Sequence, residues 1–263
     1  MSRDVLLFGF TCLLLGIAHD ARGAGKVLIL HDELPQMKVL AGRLEREGYG
    51  VDFVTTKEKL PELDAFDAIV VFVHGVFPRE QADAVIARTR AGARLIALHH
   101  TISSAKLKTP VWLEFLGIGL PQPLRKPLEG GYAWQHDVDL HLVNLSPGHY
   151  ITTNKIEYPG KTQYKRSDVE EPARERACII FPESEVFLHH TYTDGKDKTV
   201  LFGFTARHEE LGDKTWMQDR GGWLKPAGKG WIFYFMPGHT VKDVENPLYQ
   251  QLILNCLTWT GKP

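Results

Sequence analysis

The sequence predicts an α/β protein built on a doubly wound, mainly parallel sheet in three layers, of the flavodoxin-like kind. Three observations carry this reading. Near-continuous apolar runs lie at residues 26–30, 67–73, 95–98 and 231–236, as strands covered by helices on both faces require. Segments of helical periodicity alternate with them, which is the βαβ pattern. Polar residues, histidines above all, stand where those apolar runs end.

KVLILH at 26–31 reads as the first strand, followed by Asp32 and Glu33. Pro35 opens a helix through Glu47, with Met37, Leu40, Ala41 and Leu44 at helical spacing, and Gly48 stops it. Residues 51–55 form a second strand and 67–73 a third, ending at His74-Gly75. Pro78 opens a helix carrying Ala82, Val85 and Ile86 on one face. The run RLIALHHTISS at 94–104 passes from apolar strand into two histidines and a hydroxyl-rich turn, and the crossovers should be right-handed. Beyond it, residues 110–117 suggest a short helix and 117–131 a Gly/Pro-rich excursion over the carboxyl face of the sheet. Residues 138–143 alternate, as a half-exposed strand on the sheet edge or in a second small sheet would. DVEEPARER at 168–176 reads as solvated loop. Residues 177–181, 186–190 and 200–205 read as three short strands, and 231–236 as another, ending at Pro237-Gly238-His239. Asn246 caps a closing helix from Pro247 to about Trp259.

At 263 residues the chain can bury roughly 70 to 75% of its unfolded surface, so it folds without staples. The net charge is −1, which leaves no electrostatic footprint for nucleic acid or an anionic membrane and suits a small neutral partner. The first 23 residues read as a secretory signal peptide: Arg3, an apolar run at 5–18 too short to span a bilayer, and small residues before a cleavage site after Gly23. The mature protein, residues 24–263, is then one periplasmic or secreted domain without a membrane span. Cys12 leaves with the leader. Cys178 and Cys256 sit in apolar sequence as free buried cysteines do, with a disulfide between them left open, as is association into a homo-oligomer.

Twelve histidines is a high count, and four of them, His31, His74, His99 and His239, end apolar strands. In a parallel sheet those ends share one rim, where ligands bind. His189 and His190 are adjacent on a strand, so only one can join a common site, and Glu185 precedes them with a carboxylate. Histidines with one carboxylate suit zinc or another divalent metal, and serve equally as acid/base groups around a sugar. No compact H-E-x-x-H spacing decides between the two.

The order of several short motifs resembles the ThuA-like (trehalose-utilisation) family, a branch of the class I glutamine-amidotransferase-like fold. The matching pieces are GARLIALHH at 92–100, Trp112 with FLGI at 115–118, HYIT at 149–152, SEVF at 184–187, and GKGWIFYFMPGH at 228–239 before the closing helix and Trp259. The resemblance implies that His99 occupies the elbow where true amidotransferases carry a nucleophilic cysteine, so glutamine hydrolysis is not expected. It also implies a carbohydrate substrate, with hydrolysis or elimination of a disaccharide or (3-keto-)glycoside. The chain departs from the family pattern at Ser184 and Thr240, where the motifs carry acids, and at Tyr150 in place of proline. Those losses favour the alternative of a non-catalytic carbohydrate-binding or accessory protein.

The expected site is therefore His99, Glu185 and His239 as catalytic or metal-binding groups, with His31, His100, Trp112 and His190 around the substrate. Trp112, Tyr132 and Trp134 either stack on sugar rings or pack the core beneath the excursion, with core packing the better reading of Trp112. If His99 works in the site, replacing it by Ala is expected to leave folding nearly unchanged, because a rim histidine adds little packing. If it only closes the strand, the change is expected to lower stability by about 1 to 3 kcal/mol.

Overall fold

The computed structural model describes residues 24–261 apart from 196 and 213. The leader assigned to residues 1–23 lies outside the described residues. Among the described residues no helix is long and apolar enough to cross a membrane.

The chain opens with β1 (Gly25–His31), α1 (Leu34–Arg46), β2 (Tyr49–Thr55), β3 (Ala68–Phe72), α2 (Arg79–Ala91) and β4 (Arg94–Leu98). There follow α3 (Pro110–Leu116), β5 (Ile118–Gly119), β6 (Ala133–Asn144), α4 (Tyr150–Thr153), β7 (Gly160–Tyr164), β8 (Arg174–Leu188) and β9 (Thr191–Tyr192). The last elements are β10 (Thr199–Ala206), β11 (Trp216–Ala227), β12 (Gly230–Phe235), α5 (Val241–Glu245) and α6 (Pro247–Thr258). β5 and β9 pair with each other; the remaining strands form one 10-stranded sheet in the order β2-β1-β3-β4-β12-β11-β10-β6-β8-β7.

From β2 to β12 that sheet is parallel, and β1, β3, β4 and β12, the apolar strands of the sequence, are consecutive neighbours. Their side chains are buried on both faces, which is why they read as unbroken apolar runs. α1 packs with α5 and α6, while α2 packs with α3, covering the sheet as two groups.

Beyond β12 the sheet turns antiparallel, and here the structure corrects the sequence. The alternating segment at 138–143 belongs to β6, a strand of 12 residues paired on both sides rather than at an edge. The strands expected at 177–181 and 186–190 are one continuous β8, which bends where Glu183 takes φ +53. Its first residues, Arg174 to Arg176, take over the end of the expected loop and pair with β7.

β7 and β11 were not expected at all. WMQDRGGWLKPA carries a charged middle, two glycines and a proline, all poor strand signals. The glycines are there for contact: a Cβ on Gly221 would lie 2.5 Å from the Gly203 carbonyl oxygen. Cys178 and Cys256 are both free and buried, in different apolar clusters.

Candidate functional site

His99 follows the last residue of β4 and adopts φ +42, a left-handed conformation that a non-glycine residue holds only at a cost of about 1 kcal/mol or more. This tight elbow turns the chain into a short 3-10 helix, His99–Ile102, and directs the two imidazoles toward β8. The neighbouring strand ends close by. Gly238, after β12, has φ +132, and a Cβ there would come within 3.4 Å of the His99 Cβ.

Glu185 projects from β8 into the same space and is 2% exposed. One of its oxygens, Oε2, lies 2.8 Å from His99 Nε2, 3.4 Å from His100 Nε2 and 3.2 Å from His239 Nδ1. The other, Oε1, lies 3.5 Å from His136 Nδ1. The rings of His99 and His239 are 5.4 Å apart, so the three residues expected to converge do so. His100 completes a quartet with them, in which His99, His100 and Glu185 are buried and His239 is partly exposed. His239 and His136 form its solvent side, with ring centroids 4.8 Å apart.

Burial pushes the Glu185 carboxyl up, but contacts from His100, His239 and His99 outweigh it and hold the group below the usual carboxylate range. Glu185 in turn raises the His239 pKa against an opposing effect of burial. That approach is close, yet its angle leaves His239 Nδ1 without a proper hydrogen bond. His100 is pushed down to about 2, first by burial and then by the charge of His99, and so stays neutral.

His99 Nδ1 lies 2.5 Å from the Met236 carbonyl oxygen. A carbonyl only accepts, so Nδ1 carries the hydrogen and Nε2 faces Glu185.

The acids missing at 184 and 240 are answered by a single carboxylate, Asp243, itself 2% exposed. Its Oδ2 accepts from Ser184 Oγ at 2.8 Å, from the Gly238 amide at 3.2 Å and from the Thr240 amide at 3.2 Å. Asp243 thus ties the segment carrying Glu185 to the segment carrying His239.

Other expected residues lie elsewhere. Trp112 is fully buried, donates to the Thr101 carbonyl and packs edge-on against Phe77. It supports the elbow from below and offers no face to a sugar. Tyr132 is likewise core, with its hydroxyl on the Ile102 carbonyl. Trp134 is partly buried under the Arg125 guanidinium.

His31 ends β1 as expected, but its ring meets Phe53 edge-on at 5.7 Å instead of facing Glu185, and burial lowers its pKa. Neither histidine of the 189–190 pair joins the quartet. His190 is buried between Tyr192 and Tyr234, and His189 Nε2 lies 2.9 Å from the Pro127 carbonyl oxygen. His149 caps α4, accepting from the Ile151 amide.

Four contributors escaped the sequence reading. Glu33 lies 3.0 Å from His74 Nδ1 and 3.7 Å from His100 Nδ1, and the strand-end rule that picked out His31 also covered it. His136 sits in a stretch of β6 where the alternation is broken by Asp137 at φ +57. Asp243 looks like an ordinary first-turn acid of a helix. Lys106 gave no signal, yet it is fully buried.

The Lys106 ammonium contacts the carbonyls of Val73, His74, Gly75 and His100 and the Ser103 hydroxyl at 2.7–3.1 Å. Burial pushes its pKa down to about 7. It joins the loop after β3 to the elbow after β4, and the His74 and His100 rings stack 4.1 Å apart above that joint. Lys106→Met leaves several buried carbonyls without a donor. The expected cost is about 3 kcal/mol or more of stability, read by urea unfolding.

A parallel α/β sheet with a histidine elbow at its rim and an imidazole-ringed carboxylate beside it defines a doubly wound α/β protein with a polar site at the strand ends. The chain belongs to the ThuA family, described as trehalose utilisation, whose family model matches residues 25–260. A carbohydrate-related role follows from that membership. Among solved structures the chain is similar to a ThuA-like protein from Bacteroides uniformis, at 15% identity and TM-score 0.56, covering 89% of this chain and 90% of that one. It is similar to a cytoplasmic protein from Salmonella typhimurium at 14% identity and TM-score 0.55, covering 89% and 98%. It is also similar to Agd3, a carbohydrate deacetylase, at 13% identity and TM-score 0.55, covering 89% of this chain but 32% of that one. At these identities the likeness is one of fold. No curated protein matches the chain significantly.

Proposed function

We propose that this ThuA-family protein is an exported enzyme that cleaves a glycosidic bond in a disaccharide or 3-keto-glycoside at the Glu185 rim. The observation that carries the reading is the ring of imidazoles around one buried carboxylate, with His136 at its solvent side and its side chain 47% exposed. The family description, trehalose utilisation, supports a carbohydrate substrate. The polar quartet supplies a place to hold and polarise a sugar oxygen, and His136 supplies an accessible proton-transfer group.

In a 3-keto-glycoside the carbonyl makes the neighbouring C2 hydrogen acidic. His136 takes that proton, and the electron pair left behind forms a C1–C2 double bond as the C1–oxygen bond breaks. The departing oxygen takes the proton back from the imidazolium, and addition of water to the double bond completes a net hydrolysis. His239, whose protonated form Glu185 favours, stabilises the negative charge that builds on the C3 oxygen.

The test is a turnover screen on trehalose, simple glucosides and their 3-keto forms. Release of the leaving group is expected from a keto substrate. His136→Ala should lower that rate by about 10² to 10⁴-fold while leaving the melting temperature unchanged, since the side chain is half in solvent. Saturable binding of these sugars with no turnover of any of them would replace the enzyme by the non-catalytic carbohydrate-binding reading. Intact mass after expression in a secreting host tests export, with loss of the first 23 residues as the expected result.

A further inference from the structure

We infer that His99 Nε2, His100 Nε2, His239 Nδ1 and Glu185 Oε2 are the ligands of one divalent transition metal of the zinc class. The inference concerns the occupant of the rim assigned above to carbohydrate cleavage, and it rests on that reading only for what the metal would do.

The spacing is the first argument. These ligand atoms all lie within 4.8 Å of one another, and three nitrogens stand 2.8, 3.4 and 3.2 Å from the one carboxylate oxygen. A tetrahedron with bonds of about 2.0 to 2.1 Å has edges of about 3.3 to 3.4 Å, so the donors are close to the separation such an ion imposes.

Hydrogen bonding is the second argument. The hydrogen of His99 on Nδ1 is given to Met236, which leaves Nε2, 2.8 Å from the Glu185 oxygen, as the atom that can ligate. A carboxylate oxygen has two lone pairs, yet Oε2 faces three imidazole nitrogens, and the buried His239 Nδ1 has no hydrogen-bond partner. A shared cation satisfies all four atoms together.

The surroundings are those of a ligand set held in place. Met236 orients His99, Glu33 stands beside the far nitrogen of His100, and Asp243 fixes the segments on either side of Glu185 and His239. Three imidazoles and one carboxylate select zinc, or cobalt or nickel, over magnesium and calcium, which take oxygen donors. His136 approaches the opposite oxygen of Glu185 and stands outside the four, free for proton transfer.

The test uses the full mature chain, stripped with a chelator and titrated with Zn²⁺ by calorimetry and with Co²⁺ by visible absorption. One metal per chain is expected, with the strong visible bands of tetrahedral cobalt. Glu185→Gln and His239→Ala should each weaken zinc binding by about 100-fold or more, and Ser184→Ala, acting through Asp243, by about 10-fold. His136→Ala should still bind one metal. No stoichiometric uptake by the stripped protein overturns the inference, as does binding by Glu185→Gln and His239→Ala as tight as in the parent. The two readings fail separately. Metal binding without turnover of any sugar removes the enzyme and leaves the metal site, whereas turnover by a protein that takes up no metal removes the site and leaves the enzyme.

Discussion

Replacing Glu185 by Gln is expected to lower turnover by about 10³-fold, the scale of losing the charged centre of a preorganised polar site. The change is nearly isosteric, so packing is kept while the charge facing His99, His100 and His239 is removed. The stability of the metal-free protein should respond with a particular pH dependence.

Glu185 is held below its ordinary value of 4.5, so its contribution is present above about pH 4.5 and fades as pH falls toward the depressed value. His239 is raised above its ordinary 6.5, so its contribution is full below about pH 6.5 and is lost as pH rises through the raised value. The stability gap between parent and Glu185→Gln should therefore be widest between about pH 4.5 and 6.5 and should narrow on both sides. Urea melts of stripped protein at pH 3.5, 5.5 and 8.5 measure it. A gap that is flat across this range would mean that the carboxylate and imidazole do not form a charged pair.

How much of this was legible in the sequence depends on the physical source of each signal. β1, β3, β4 and β12 could be read because a strand buried on both faces leaves an unbroken apolar run, and their shared rim followed from parallel pairing. β11 could not be read, because its glycines are chosen for close approach to β10 and β12, and that requirement exists only once the sheet has formed. His99 and His239 were visible as strand endings, and Glu185 as the carboxylate before the 189–190 pair and through the family motifs.

His190 shows the limit of that logic. It follows a strand, but β8 is antiparallel and ends elsewhere, so position at a strand end carried no information about the rim. Lys106 and Asp243 act through backbone groups of distant loops, and no local pattern announces such contacts. Ser184 looked like a lost acid because the motif was read one position at a time, whereas the carboxylate that serves it arrives from the first turn of α5.

Replacing His99 tests the elbow and the chemistry together. The expectation that His99→Ala would leave folding nearly unchanged rested on a rim histidine that adds little packing, and the residue is in fact fully buried. Its ring packs against Phe187 at 4.9 Å and donates to the Met236 carbonyl. Truncation leaves that carbonyl without its donor and opens a small polar cavity, so His99→Ala should lose about 2 to 4 kcal/mol. The backbone makes a finer distinction. At φ +42 an alanine still bears the left-handed penalty, whereas glycine does not, so His99→Gly should be more stable than His99→Ala by about 1 kcal/mol. In an ordinary helix or strand the order would be reversed. Turnover should fall by about 10² to 10⁴-fold in both variants, because the imidazole is absent from each. Urea melts of the two proteins with rates corrected for the folded fraction separate these effects. If alanine proved the more stable, the elbow would be unstrained, and His99 would owe its place to packing and its hydrogen bond alone.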